Sequence, residues 1–255
     1  MLAVIQKELD QIEQTEHVRI LHCVESGSRA WGFASPDSDY DVRFVYVRRR
    51  EDYLRLEETR DVIEWKLDDV LDINGWDLQK YLRLLYKSNP TVFEWDLSPI
   101  VYRTAPEWEQ VSAVTGQYFR QEHLLHHYLS MAKNHERAYL RDEEVRLKKY
   151  LYVIRPLLAC RWILDRGTPP PIEFDKLTAA ELPADLRVPM EDLLERKRRT
   201  PEIGAGAHIP ELDQFIYAQF EALDSAAGSI SGRQERSWAP LNRIFLQMLD
   251  ISRPL

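Results

Sequence analysis

Asp39 and Asp41 stand two residues apart in the string GSRAWGFASPDSDYDVRFV, which runs from Gly27 to Val45. If that segment is extended, a period of two points both carboxylates to one face of a sheet. Such a pair can share divalent cations, and hard oxygen donors suit magnesium or manganese. Two ions about 3.5–4 Å apart lower the pKa of an attacking hydroxyl and neutralise a polyphosphate, so phosphoryl or nucleotidyl transfer is within reach. Gly27-Ser28 follows a run of apolar residues directly. Glycine there lets the backbone approach a ligand closely, while the amide and hydroxyl offer donors to phosphate oxygens. Alone, an Asp-x-Asp is a weak signal, because aspartates beside turns commonly cap backbone amides. The joint order of strand, Gly-Ser, Gly, Ser-Asp-x-Asp, strand is a stronger one.

The elements that must carry these groups follow from periodicity. Leu2, Val4, Ile5, Leu9 and Ile12 have helical spacing. Val18 to Val24 is a β-branched apolar strand leading into a turn or short helix, and strand character resumes after Pro36. RDVIEWKLDDVLDI forms a strand or a pair of strands, WDLQKYLRLLYK a helix, and Asn89-Pro90 ends that helix. Strands and helices mixed in this order imply an α/β or α+β domain. From about Glu107 helical patterns dominate, broken by the extended GTPPPIEF and the loop GAGAHIPEL. Pro156, inside one helical pattern, kinks that helix or marks its start.

Lys149, Tyr152 and Arg155 lie three residues apart on this second, helical part and share a face. They could combine phosphate-directed charge with an aromatic surface for a base, or Tyr152 could pack in the core with the cations at its edge. Arg43 continues the face of Asp39 and Asp41, to pair with them or to reach a phosphate. Arg29 stands beside the turn, facing an anion or solvent. His123, His126 and His127 have helical spacing, but no cysteine or aspartate lies near enough in sequence to complete a zinc site, and their leucine neighbours have core character. Trp31, beside the turn, is the tryptophan of interest among seven.

Composition narrows the classes. With 44% hydrophobic and 30% charged residues the chain is an ordinary globular one rather than disordered. A formal charge of −8 argues against holding nucleic acid by bulk electrostatics but leaves room for a local basic groove. Of three basic runs, at Arg48 to Arg50, Arg146 to Lys149 and Arg196 to Arg199, the second is the candidate and the others are read as solvated surface. Cys23 and Cys160, each in an apolar stretch, are expected to be buried free thiols. Early charges at Lys7, Glu8 and Asp10, and no apolar run of spanning length, lead to the expectation of a cytoplasmic protein without a membrane partner.

GSRAWGF followed by SDYDVRF resembles the Gly-Ser and Asp-x-Asp signature of the DNA polymerase β-like nucleotidyltransferase superfamily. DVIEW, LDINGWDLQKYLRLLYKSNPTVFEWDLSPIVY and KKYLYVIRPLLACRWI resemble a bacterial and phage group within it, the predicted nucleotidyltransferases of the YcgL type. The resemblance implies an α+β fold, with a catalytic domain of small mixed sheet and flanking helices at residues 1–104. A helical nucleotide- and acceptor-binding domain at 105–255 would follow, the triphosphate lying between the two. It implies Ser28 and the Gly27 backbone at triphosphate oxygens, and Asp39 and Asp41 as ligands of Mg2+ or Mn2+. A third carboxylate on a neighbouring strand completes the site in the superfamily; Asp72 is assigned here, with Glu64, Asp68, Asp69 and Asp77 as alternatives and Asp77 equally a helix cap. The implied reaction moves a nucleoside monophosphate from a nucleoside triphosphate to an acceptor, an RNA end being favoured over a small molecule or a protein side chain. The competing expectation is a nucleotide-binding regulatory or antitoxin-like module without turnover. The identity of any protein partner is left open.

Overall fold

A computed structural model describes residues 1–68, 70–199, 205–230 and 235–251. In chain order the helices and strands are α1 (Leu2–Glu16), β1 (Arg19–Glu25), α2 (Gly27–Ala30), β2 (Tyr40–Val47), α3 (Arg50–Tyr53), β3 (Val62–Leu67), β4 (Leu71–Asp77), α4 (Leu78–Tyr86), α5 (Pro90–Asp96), β5 (Val101–Thr104), α6 (Glu109–Thr115), α7 (Gln121–Tyr139), β6 (Val145–Arg146), α8 (Lys148–Arg166), α9 (Phe174–Glu181), α10 (Arg187–Arg199), β7 (Ala205–Gly206), α11 (Pro210–Ala227) and α12 (Ala239–Ile251). They fall into two compact units. The first comprises 1–30, 39–118 and 235–255, and the second 31–38 and 119–234. Among the described residues no helix is long and apolar enough to cross a membrane.

The first unit is built on a five-stranded sheet in the order β3-β4-β2-β1-β5. Only β2 and β4 run parallel; the other pairs are antiparallel. The expected α+β fold with a small mixed sheet is therefore found. Period-two alternation sends Val42, Phe44 and Tyr46 of β2, with Leu71 and Ile73 of β4, into one core with Ile5, Leu9 and Ile12 of α1. Alternate residues of the same strands, Asp41, Arg43, Asp72 and Asn74, are only half-buried, so the apolar positions fix by default which face carries the polar groups. In β4 the burial alternates strictly along LDINGWD. Gly75 sits opposite Phe44, and a Cβ there would meet the phenyl ring at 2.2 Å, so glycine is what lets these strands pair.

Asn89 does not merely end α4: its side chain accepts from the Thr91 N–H at 3.0 Å and starts α5, with Pro90 in the first turn. Segment 235–251 returns to the first unit, where the Trp238 ring stacks on Tyr86 at 3.7 Å and Ser237 O accepts from the Tyr118 hydroxyl at 2.9 Å.

In the second unit α7 and α8 form the centre, with α9 and α11 packed on α8. α8 buries eleven side chains, among them Cys160, and continues through Pro156, which neither starts nor ends it. Both cysteines are free and buried, as expected. Within GAGAHIPEL the described part pairs as β7 with β6, and His208 is clamped between Asp213 (2.9 Å) and the Asp142 carbonyl (2.9 Å).

Candidate active site

The turn after β1 is shaped by three groups. Gly27 has φ +60°, a left-handed conformation that side chains with a Cβ resist. A Cβ on it would also lie 2.0 Å from Asp41 Oδ2, so the Asp41 carboxylate rests directly against the glycine. The Ser26 N–H donates to the Asp41 carbonyl at 2.8 Å, and the Asp41 N–H donates to Glu25 Oε1 at 2.8 Å. Glu25 is only 1% exposed, and its other oxygen accepts from the Tyr102 hydroxyl at 2.5 Å. Burial pushes its carboxyl above the usual carboxylate range, and the Tyr102 hydrogen bond pulls it partly back. Glu25 was not among the sequence candidates. Its only signal is a carboxylate closing an apolar strand just before Gly-Ser.

The parallel register places Asp41 directly opposite Asp72. Arg43 joins them: its Nη2 donates to Asp41 Oδ1 at 2.9 Å and Asp72 Oδ2 at 2.6 Å, and its Nη1 to the Asp72 carbonyl at 3.0 Å. Burial holds Asp41 above the usual carboxylate range; Arg43 draws it down, while Asp72 and Asp39 raise it further. Negative charge is thus crowded here and met by the Arg43 guanidinium, with a smaller contribution from Arg29. Asp39 lies one residue before β2 and is exposed, its carbonyl accepting from Arg29 Nε at 3.0 Å. Arg29 turns back over the Tyr40 ring, 3.7 Å from its centroid, rather than projecting away. Ser28 is buried in α2. Among the described residues no group of three or more His, Cys, Asp or Glu side chains is gathered closely enough to hold a metal ion.

Three of the four alternatives to Asp72 have other partners. Asp77 caps α4 through the Gln79 N–H (2.7 Å) and accepts from the Tyr53 hydroxyl (2.7 Å). Asp68 accepts from the Val70 and Leu71 amides, and exposed Glu64 pairs with Arg60. Asp69 lies outside the described residues.

In the second unit Lys149, Tyr152 and Arg155 do share a face of α8. The Lys149 ammonium stands 5.0 Å from the Tyr152 ring centroid, Tyr152 meets Trp31 edge-on at 5.7 Å, and the Arg155 guanidinium covers Trp31 at 4.3 Å. Arg155 is only 3% exposed, so it is an interior group rather than a rim cation. Lys197, in the basic run read as solvated surface, is 4% exposed and packs over Phe33 at 4.4 Å; that reading fails at this residue. Helical periodicity shows which face Lys197 is on but not what covers it.

Gly27 thus lies against Asp41, and Asp41 faces Asp72 across adjacent parallel strands of a mixed α+β sheet. The chain belongs to the RNA repair pathway DNA polymerase beta family, RlaP, whose model matches residues 1–247. It is 46% identical over 246 residues to the uncharacterized protein YcgL of Bacillus subtilis (strain 168), covering 95% of this chain and 94% of that one. A crystal structure of a nucleotidyltransferase-like protein from Exiguobacterium sibiricum 255-15 is similar over 98% of this chain and 80% of its own, with 13% identity and a TM-score of 0.30, too low to inform the site.

Proposed function

We propose that this protein is a metal-dependent nucleotidyltransferase that moves a nucleoside monophosphate from a nucleoside triphosphate to an acceptor, with an RNA end as the favoured acceptor. The observation that carries the reading is the pairing of Asp41 with Asp72 across parallel strands, against the Gly27 turn, in a chain of the RNA repair polymerase β family. The donor chemistry suits a divalent ion, with hard carboxylate oxygens at Asp41 and Asp72 on facing strand positions and Asp39 adding to the negative potential at Asp41, although among the described residues the three side chains are not gathered around one point. Asp39, Asp41 and Asp72 would hold Mg2+ or Mn2+, which when bound supplies positive charge to the triphosphate and acidity to the acceptor hydroxyl.

The protein's own groups have the remaining tasks. Glu25 fixes the backbone of Asp41 through its amide, and Gly27 leaves room for the carboxylate. The Gly27 amide and Ser28 offer donors to phosphate oxygens. Arg43 offsets the charge of Asp41 and Asp72 and provides a guanidinium suited to a phosphate, and Arg29 adds a second cation on the same turn. Lys149, Tyr152 and Arg155 bind nucleotide or acceptor on the helical unit. In the reaction the acceptor hydroxyl gives its proton to solvent as its oxygen forms a bond to the α-phosphorus, the bond to the bridging oxygen breaks, and pyrophosphate departs with that electron pair. A small-molecule or protein acceptor is served by the same chemistry.

The test is transfer of label from α-labelled ATP, GTP, CTP and UTP, with magnesium or manganese, to RNA ends and to protein. Wild-type transfer that disappears in Asp39→Ala/Asp41→Ala is expected; transfer unchanged in that variant would overturn the reading. One observation favours a second reading, a nucleotide-binding regulatory or antitoxin-like module without turnover: Arg43 already bridges Asp41 and Asp72. That module would bind nucleotide in calorimetry but transfer nothing, and an antitoxin would co-purify with a partner protein.

A further inference from the structure

A charged ammonium withdrawn from water is unfavourable unless an anion or a dense set of acceptors replaces its hydration. Lys197 of α10 is 4% exposed. What surrounds it is aromatic and positive. Nζ lies 4.4 Å from the Phe33 ring centroid and 5.5 Å from that of Tyr152. Lys148 and Lys149 act on it as like charges, and among the described residues Asp37, which is exposed, is the carboxylate acting against them. Burial, with the two neighbouring lysines, draws its pKa down to about 8, so it still carries charge at neutral pH. Ring faces compensate a cation only in part. Arg155 adds another cation to the same aromatic group, over Trp31.

Three separate segments build this cluster: the loop at 31–38, the start of α8, and α10. Lysines from two helices converge with half-buried aromatic faces at Trp31 and Tyr152. Converging ammonium groups suit a multiply charged anion such as a phosphate. We infer that Lys197 is the buried anchor of a phosphate-binding site in the helical unit, completed by Lys149 and flanked by Trp31 and Tyr152, for a phosphate carried by a nucleotide. This rests on the reading that the chain handles nucleotides. The shared chemistry is phosphate, and its source is either the triphosphate or the end of an RNA acceptor.

The experiment is calorimetry on the full chain with four probes: inorganic tripolyphosphate, ATP, and one short RNA with either a 5′-phosphate or a 5′-hydroxyl. Lys197→Met is expected to weaken the phosphate-bearing probes at least tenfold while its Tm stays level or rises, because a desolvated charge has been removed. Loss confined to tripolyphosphate and ATP identifies the triphosphate as the source; loss confined to 5′-phosphorylated RNA identifies the acceptor. Wild-type affinities for every probe in Lys197→Met, or no phosphate probe bound by the wild type, overturns the inference. Should Lys197→Met not fold, Lys149→Met carries the test, with a weakening of about threefold expected and none overturning it. Label transfer measured alongside separates the two claims. Lys197-dependent binding without any transfer sustains the phosphate site and removes the nucleotidyltransferase reading, whereas transfer with unchanged binding in Lys197→Met does the reverse.

Discussion

Gly27 answers two demands at once, a left-handed φ and a carboxylate pressed against its Cα. Alanine there is expected to cost about 1–2 kcal/mol of stability for the backbone alone. It must also push Asp41 away, so transfer should fall by more than the loss of folded protein explains. Comparing Gly27→Ala with wild type by thermal melting and by the label-transfer assay measures both; full activity in a folded variant would show that the placement of Asp41 against the turn is unimportant. Glu25 belongs to the same scale. It is a buried carboxylate whose two oxygens are each committed, one to the Asp41 amide and one to Tyr102, and it acts by positioning.

At the scale of elements, β4 separates two aspartates by period and by position. Asp72 is at an outward position near the start of the strand, whereas Asp77, five residues on, faces inward and becomes the cap of α4. Their substitutions should therefore part ways. Asp77→Asn keeps an oxygen for the cap and should melt near wild type, while Asp77→Ala should lose about 0.5–2 kcal/mol, and both should retain transfer. Asp72→Asn should do the opposite, losing transfer with little change in Tm. Full activity in Asp72→Asn, or inactivity in a folded Asp77→Asn, would reverse the assignment.

For the whole molecule, the first unit is discontinuous in sequence. Its described C-terminal part, 235–251, lies against residues near 50, 86 and 118: Trp238 stacks on Tyr86, Phe245 meets Tyr53 at 5.1 Å, and Arg236 bonds the Tyr86 carbonyl. Residues 1–118 expressed alone are therefore expected to be less stable than the same fragment supplied with 235–251. Trp238→Ala in the full chain should lower stability by about 1 kcal/mol, from the lost ring pair. A fragment of 1–118 melting as well with its complement as without it would show that the returning helix contributes nothing to this unit.

The sequence by itself determined the mixing of strands and helices in an α/β or α+β domain, the strand–turn–strand around Gly27 and the shared face of Lys149, Tyr152 and Arg155, while the choice of α+β came from the family resemblance. The first three follow from local periodicity, which is a property of neighbours along the chain. Only the tertiary structure decided which carboxylate faces Asp41, because the register of β2 against β4 is set by packing between residues some thirty positions apart, such as Phe44 on Gly75. The same reason kept Glu25 and Lys197 out of reach. A charged residue at the end of a strand or in a basic run looks solvated until the elements that cover it, β5 with Tyr102 in one case and the loop at Phe33 in the other, are folded into place.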